Sequence, residues 1–482
     1  MLSAVPRPFP AAILLLSLPL LLILALQGGQ YFSGDEGRYD RGIPLDRTLA
    51  GGDFPAATAV AALPEHTLFP WVGALVTAAQ KALAHLTPYG DWSHPEFVGF
   101  TIDLGAAVLS LYSTLNLFLL SPLALRAGAG AEEAAWAVLL MAAANSAFCY
   151  SRHLLPSECA LSAALAALVV GLGPPTRRRA FVAGLLTGTA YHLYNGDGAL
   201  LPVIGLVLVL MWRGAPSLSR LAVAAATGLL LSLAAPVALG ALLGGANDWS
   251  KLGAFRPSVT QGLFAEGWSL PSEDFWPAEG LLGAGLALAV ALGLFSALRT
   301  GVPLPDRVRV TLLALVAASA LLVAASCRFA RLVVSARTLQ PLVPPLCLLG
   351  RWALARLVAP RPIFKPCLPA ALILAAALPF APHFNRVFPR ETDLALLRAW
   401  GNPKRVLTVA GSVSTPLSLP VSRPDLALVN APALHPGARC SPLRWAPPSC
   451  ASTTPSPIRH FNPRAIRLMN APSSAPPLAH CA

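Results

Sequence analysis

Long apolar runs recur along the chain, and short polar stretches separate them. A helix of about 17 to 25 apolar residues is long enough to cross roughly 30 Å of hydrocarbon. Because lipid cannot hydrogen-bond to open backbone groups, such runs must be helical. The pattern predicts about eleven spans, near residues 11–27, 97–122, 134–150, 157–173, 180–194, 198–212, 221–245, 280–298, 310–326, 338–357 and 367–381. The expected fold class is an all-α polytopic membrane protein.

Two regions depart from this pattern. Residues 60–86 form a shorter amphipathic stretch, interrupted by Pro64 and Pro70, which predicts a helix lying on the membrane surface. The tail at 382–482 is rich in Pro and Ser and contains two β-like runs, RVLTVAG and DLALVNA. The prediction is a transmembrane domain at 1–381, with extracytoplasmic loops at 28–96 and 246–279, followed by a small extracytoplasmic C-terminal region.

Composition supports a membrane protein and argues against a nucleic-acid partner. Hydrophobic residues make up 55% of the chain and charged residues 12%, whereas a soluble domain carries about 25% charged residues. The net charge of +13 comes from basic residues spread over short loops, and no Lys/Arg stripe with interleaved aromatic residues is present. The chain is therefore expected to bind membrane lipid and not nucleic acid.

The basic residues also predict the orientation of the chain. With the N-terminus in the cytoplasm, one set of alternate loops receives a series of basic residues, and that side should be the cytoplasm. They are Arg7, Arg126, Arg177, Arg178, Arg179, Arg213, Arg220, Arg299, Arg307, Arg309, Arg351, Arg356, Arg361 and Lys365. Residues 27–30 are a poor signal-peptide cleavage site, so the first run is expected to remain as a helix. The composition, rich in Ala, Pro and Arg, fits a bacterial inner membrane, with the endoplasmic reticulum as the eukaryotic equivalent. The first loop would then face the periplasm or its equivalent.

That first loop carries a dense polar cluster. Residues 31–43 read YFSGDEGRYDRGI and follow directly after the first apolar run. Of the adjacent carboxylates Asp35 and Glu36, one can act as a general base while the other holds a cation or orients a substrate. Arg38 and Tyr39 lie beside them in the sequence. The alternative interpretation is an ordinary solvated loop.

The stretch SGDEGRYDRGI after a first membrane helix resembles the first extracytoplasmic loop of GT-C glycosyltransferases. The similar members are the protein O-mannosyltransferases and the lipid A aminoarabinose transferases. The resemblance implies that Asp35 is the catalytic carboxylate and that Glu36 supports it. It also implies a donor sugar carried on a polyprenyl monophosphate, with Arg38 and Tyr39 among the substrate contacts.

Four later stretches extend the resemblance over about residues 10–350. They are EHTLFPWVGAL, which contains His66; SRHLLPSECALSAALAALVV, with Arg152 and Glu158; GLLTGTAYHLYNGDGALLPVI, with His192 and Asn195; and ARTLQPLVPPLCLL, with Arg337. The first lacks two prolines that the family usually has. In the third, Asn195 stands where a Lys is usual, so a cation that contacts phosphate is missing or supplied elsewhere.

The later stretches imply a phosphate-binding role for Arg337 and Arg152, since a guanidinium can contact phosphate oxygens bidentately. Each could instead be an interfacial arginine that extends toward lipid head groups, and Arg328 and Arg331 compete with Arg337. Glu158 could pair with Arg152 or help to hold a metal.

A divalent metal ion is the one cofactor considered. His66, His153 and His192, together with Glu65, could bind it, as in some family members, although their spacing does not demand a site. No other cofactor is expected.

The expected function is inverting transfer of a hexosyl or pentosyl group from the lipid-phosphate donor to an acceptor hydroxyl on the extracytoplasmic face. The acceptor could be a lipid, a glycan or a protein of the cell envelope. Two alternatives stay open. One is a multi-pass transporter or lipid flippase, although such proteins tend to place ionisable groups near the bilayer midplane. The other is a catalytically degenerate member of the family.

Overall fold

The computed structural model describes residues 42–61, 68–85, 95–144, 146–147, 155–194, 200–242, 270–324, 339–358, 364–380, 405–409 and 427–431. All of these lie in the first of two compact units, Met1–Ala433. The predicted span at 11–27 and the polar stretch at 31–41 fall outside the described residues. The predicted boundary between residues 381 and 382 stays a prediction.

Three helices follow the polar stretch and pack on one another: α1 (Gly42–Ala50), α2 (Phe54–Ala61) and α3 (Phe69–His85). Their buried apolar side chains form one small cluster: Leu45, Ala57, Ala61 and Ala74. The sequence predicted a single surface stretch at 60–86, whereas its described helical residues belong to the end of α2, at Ala61, and to α3, which begins at Phe69, directly before Pro70. Proline is tolerated in the first turn of a helix, where its missing N–H has no intrahelical partner.

Helix α1 lies directly against α3 at a pair of glycines. A Cβ atom built on Gly42 would lie 2.3 Å from the backbone carbonyl carbon of Gly73. No other residue type fits at position 42 without moving one of the helices. Lys81 on α3 also pairs with Asp46 on α1. The chain that leaves the predicted catalytic loop is therefore fixed on α3 at its first described residue.

The helices of the bundle come next. As far as the structure describes the chain, they are α4 (Pro95–Arg126), α5 (Ala131–Ala142), α6 (Ser157–Gly171), α7 (Arg177–Leu193), α8 (Leu200–Trp212), α9 (Leu218–Leu242), α10 (Leu270–Thr300), α11 (Asp306–Val323), α12 (Val343–Leu357) and α13 (Phe364–Phe380). A 3-10 turn, Gln340–Leu342, precedes α12. A helix therefore forms at each predicted span from the second to the eleventh.

Three of these helices contain segments long and apolar enough to cross a membrane by length and composition: Ala107–Arg126, Leu218–Leu239 and Glu279–Thr300. Ser157–Gly171 and Leu200–Trp212 are apolar but shorter. Helix α5 ends at Ala142, well before the predicted boundary at residue 150. The count of eleven spans stays a prediction.

Helix α10 contains a break where its apolar part begins. Gly280 has φ 52° and ψ −136°, values outside the helical region. Only glycine adopts such a backbone readily, so the kink is encoded by the sequence. The predicted start of this span at residue 280 coincides with the kink.

Helices α7 and α9 approach closely through small residues. A Cβ atom on Gly184 would lie 1.9 Å from the carbonyl oxygen of Ala225, and one on Gly228 would lie 2.1 Å from that of Phe181. Small residues spaced four apart let helix backbones approach in this way within membranes. Another face of α9 is exposed, with Leu242 at 83% exposure, and that face is suited to lipid.

Basic side chains connect the loops at one end of the bundle. The pairs are Arg126 with the carbonyl of Val169, Arg213 with Asp306, Arg307 with Glu133, Arg351 with Glu132, and Arg356 with Thr300. All five arginines belong to the loops that the sequence assigned to one side. The structure brings these loops together, while the compartment they face stays a prediction.

Two short strands form at the β-like runs of the tail. Arg405–Val409 (β1) pairs in parallel with Ala427–Ala431 (β2), and Val406 lies opposite Leu428. The expectation of strand structure in these two runs is confirmed.

Candidate functional site at the head of helix α6

Two of the ten predicted site residues lie in the described chain, Glu158 and His192. The other eight fall outside it: Asp35, Glu36, Arg38, Tyr39, His66, Arg152, Asn195 and Arg337. Their roles stay predictions. The geometry around Glu158 and His192 is described first, and it brings in residues that the sequence did not point to.

Glu158 lies in the first turn of α6 and is only 2% exposed. Its Oε2 accepts a 2.6 Å hydrogen bond from Nδ2 of Asn116 on α4, and its Oε1 accepts one from Nε2 of Gln340 in the 3-10 turn. A carboxylate near a helix N-terminus is also favoured by the helix dipole. The side chain is thus buried and held from two sides.

Asn116 is fully engaged in this arrangement. Its Nδ2 also lies 3.2 Å from the main-chain oxygen of Glu158, and its Oδ1 accepts a 2.7 Å hydrogen bond from Oγ of Ser162. The Ser162 hydroxyl lies one turn below Glu158 on α6, 3.0 Å from its carbonyl oxygen. We call Glu158, Asn116, Ser162 and Gln340 the Glu158 cluster.

The carboxylate of this cluster is held by neutral amides. Among the described residues, no Lys, Arg or His side chain pairs with Glu158. Burying a carboxylate in a membrane bundle is costly, and such groups usually serve a substrate, an ion or a proton. The two amides orient the Glu158 side chain, and a buried group of this kind is a candidate to contact a ligand.

The cluster lies at the N-terminal end of α6, which is a short helix. The 15 residues of α6 span about 22 Å, less than the roughly 30 Å of a hydrocarbon layer. The Cα of Glu158 lies at most about 17 Å along the helix from Val169, whose carbonyl contacts Arg126 at the basic end. The cluster therefore sits inside the bundle.

An apolar cavity of about 110 Å³ lies near the cluster. Leu161, one turn below Glu158, and Pro341, next to Gln340, are among its lining residues, whereas the four members of the Glu158 cluster are not. Helices α4, α6, α8, α11 and α12 contribute to its walls, and Arg307 of the basic end lines it as well. The cavity is therefore a hydrocarbon-like space beside the Glu158 cluster.

His192 joins the surface helices to the bundle. It is 6% exposed, and its main-chain oxygen accepts a 3.0 Å hydrogen bond from the N–H of Leu68, directly before α3. Phe69 of α3 is buried in one apolar cluster with Leu109 of α4 and Cys159 of α6. Helix α3 is therefore packed next to the residue that follows Glu158.

Metal binding receives no support from the described part of the chain, where no group of three His, Cys, Asp or Glu residues could hold an ion. His66 and His153 lie outside that part. The predicted metal site therefore stays untested.

A second buried carboxylate, Glu279, was missed in the sequence. It is 3% exposed at the start of the apolar part of α10, and its Oε1 lies 3.3 Å from the N–H of Ser146. A Glu followed by Gly at the edge of an apolar run is the local signal that could have identified it. Asn116 and Gln340 were also missed, although amides inside apolar runs are frequent partners between membrane helices.

Comparison with known proteins gives one informative similarity. No protein-family model matches the chain, and no curated protein sequence matches it. A solved structure of ArnT from Cupriavidus metallidurans bound to undecaprenyl phosphate aligns over 87% of this chain and 85% of that chain, with a TM-score of 0.52 and 16% identity. At that identity the similarity is one of fold. The chain therefore has the fold of this ArnT structure, in agreement with the fold that the sequence resemblance implied.

Proposed function

We propose that this protein is an integral-membrane glycosyltransferase that moves a sugar from a polyprenyl-phosphate donor to an acceptor hydroxyl. The observation that carries the proposal is the Glu158 cluster, a buried and oriented carboxyl group beside an apolar cavity, within the fold of ArnT. The ArnT structure was solved with undecaprenyl phosphate, a lipid with the same two chemical parts, an isoprenoid chain and a phosphate.

The cavity suits the hydrocarbon part of such a donor. Its walls are almost entirely apolar, and they run along helices that lie within the predicted membrane spans. An isoprenoid chain in the cavity would bring its phosphate toward the Glu158 end. Two predicted phosphate ligands are close to that end in the chain, because Arg337 precedes Gln340 by three residues and Arg152 precedes Glu158 by six.

The proposed chemistry is a single displacement with inversion at the anomeric carbon. Asp35 takes the proton from the acceptor hydroxyl, or stabilises the attacking oxygen, while Glu36 supports it. The bond from the acceptor oxygen to the anomeric carbon forms as the bond from that carbon to the phosphate oxygen breaks. Arg337 and Arg152 stabilise the charge on the departing lipid phosphate, and such preorganised charge is often a large catalytic contribution.

The surface helices offer a physical reason for the position of Asp35. Gly42, seven residues after Asp35, rests on α3, and α3 packs beside Cys159 and is tied to His192. Seven residues reach at most about 25 Å, a distance compatible with the proposed action of Asp35 on the side of the bundle where Glu158 lies. Arg38, Tyr39, His192 and Asn195 are the remaining proposed substrate contacts.

The proposed function also includes a membrane location and a class of acceptor. The protein would lie in the bacterial inner membrane, with the reaction on the periplasmic face, and would serve the cell envelope. The acceptor is a lipid, a glycan or a protein, and a divalent metal could assist through His66. The oriented carboxylate also fits a transporter, so absence of sugar transfer would favour that alternative.

The test is sugar transfer from radiolabelled polyprenyl-phosphate donors in membranes that carry equal amounts of each variant. Asp35→Asn should abolish the transfer seen with the wild-type protein. Asp53→Asn is a matched control, because Asp53 is an exposed residue that caps α2 through the N–H of Ala56. Transfer that persists in Asp35→Asn would move the base elsewhere, with Glu36 next. No transfer by the wild type from any donor would contradict the proposed function.

A further inference from the structure

One polar group of the Glu158 cluster lacks a hydrogen-bond partner. Gln340 is 1% exposed and its Nε2 donates to Glu158, but no donor among the described residues lies within reach of its Oε1. Nearly all buried polar atoms in proteins are hydrogen-bonded, and each exception requires an explanation. An unpaired buried amide oxygen costs about 1 to 3 kcal/mol.

Rotating the amide does not remove the problem. A rotation would turn Oε1 toward the Glu158 carboxylate, which when ionised only accepts hydrogen bonds. Two acceptors would then face each other, and Nε2 would lose its partner. An ionised Glu158 therefore favours the amide orientation in which the carbonyl oxygen of Gln340 is directed away from the carboxylate. Asn116 provides the contrast, since its carbonyl oxygen is already used by Ser162.

The chemistry of the cluster defines what would complete it. A carboxylate and an unpaired amide carbonyl are both acceptors, so the missing group must be a donor. A phosphate is excluded as the direct partner, because its charge repels Glu158 and its oxygens do not donate when ionised. A sugar hydroxyl is a suitable group, since it donates through O–H and is neutral.

We propose that Oε1 of Gln340 accepts a hydrogen bond from one hydroxyl group of the transferred sugar. Gln340 is then a specificity-determining residue that favours donors carrying that hydroxyl over donors lacking it. Asn116 is a positioning residue, which orients Glu158 and does not touch the sugar. This inference rests on the proposed function and specifies the sugar end of its substrate.

The experiment compares parent and singly deoxygenated donors with the full-length protein in membranes. The donor is whichever polyprenyl-phosphate sugar the wild type accepts, and each hydroxyl of its sugar is removed in turn. The wild type should lose about tenfold in kcat/KM for one deoxy donor, the size expected for one hydrogen bond to a buried neutral group. Gln340→Met should transfer the parent and that deoxy donor at equal kcat/KM.

Two further variants distinguish recognition of the sugar hydroxyl by Gln340 from a general disturbance of the folded site. Asn116→Leu should lower kcat/KM for all donors by a similar factor and keep the preference for the hydroxyl, because the Gln340 carbonyl remains. Thr187→Val is the control, since Thr187 is a buried polar residue that bonds only within α7, and it should behave as the wild type. Thermal unfolding of each variant identifies any that fails to fold.

The outcomes are distinct. If Gln340→Met folds and keeps the full preference for the hydroxyl, the inference is overturned and the proposed function stands. The same holds if the wild type tolerates every single deoxygenation, and an ordered water would then be the partner of Oε1. If Gln340→Met does not fold, Gln340→Glu replaces it, and this variant must also lose the preference. If the wild type transfers no sugar, both proposals fail.

Discussion

Replacing Glu158 by Gln or by Leu separates a structural role of the carboxylate from a chemical one. In Glu158→Gln, one side-chain oxygen remains and can still accept from Asn116. The new NH₂ group meets Nε2 of Gln340, and two donors then face each other. Gln340 can relieve this by rotating its amide, because its Oε1 is not bonded to any described residue. The rotated amide then accepts a hydrogen bond from residue 158, and Gln340 again has one unpaired polar atom, as in the wild type.

The two substitutions therefore differ in their expected cost. Glu158→Gln should change the free energy of unfolding by no more than about 1 kcal/mol, since both contacts are kept as neutral hydrogen bonds. Glu158→Leu leaves Nε2 of Gln340 without an acceptor and removes the 2.6 Å contact of Asn116. Each unsatisfied amide costs about 1 to 3 kcal/mol. Part of this is offset because no charge is buried any longer, so a net loss of about 2 kcal/mol is expected.

The loss of sugar transfer should be similar in the two variants, although their losses of stability differ. Both variants lose the negative charge, and removal of a preorganised catalytic group typically lowers kcat about a hundredfold or more. The assays are the thermal unfolding midpoint in detergent and sugar transfer in membranes, on matched amounts of protein. If Glu158→Gln were as unstable as Glu158→Leu, rotation of Gln340 would not be available. If it kept near-normal transfer, the charge of Glu158 would have no chemical role.

Two further predictions concern close approaches of the backbone. Gly228→Leu should sharply lower the yield of folded protein in a fluorescence size-exclusion assay, because even a Cβ atom there would lie 2.1 Å from a carbonyl oxygen of α7. The control is Gly205→Leu, which should leave the yield unchanged, because a Cβ atom at that position has no other atom within 4 Å. Gly42→Ala should displace α1 from α3 and lower sugar transfer severalfold while the bundle still folds, whereas Gly130→Ala, also in open space, should match the wild type. Equal transfer by both variants would show that α1 does not hold the catalytic loop.

Much of the secondary structure could be predicted from the local pattern of apolar and polar residues. The apolar runs predicted the helices from α4 to α13, and the two β-like runs predicted β1 and β2. Hydrophobic periodicity says less about where each helix ends. Helix α5 stops at Ala142 although the apolar run continues, and the described helical residues of the stretch at 60–86 belong to two helices, α2 up to Ala61 and α3 from Phe69.

The candidate site was accessible in part. Glu158 could be identified because a lone carboxylate at the edge of an apolar run is unusual and because the surrounding stretch resembles a known motif. Its partners could not be identified, since Asn116 lies 42 positions away and Gln340 lies 182 positions away. The local sequence around a single amide in an apolar run does not indicate which group the amide hydrogen-bonds to.

The sequence by itself determined that the chain is helical and built for a membrane, because periodicity and the cost of unsatisfied backbone groups act locally. It also determined where basic residues accumulate. Only the tertiary structure decided which polar groups meet. Packing of α4, α6 and the turn before α12 joined Asn116, Glu158 and Gln340, left one amide oxygen unpaired, and opened an apolar cavity beside them. Such contacts depend on the relative rotation of helices, and that rotation is set by many weak packing interactions along the whole bundle.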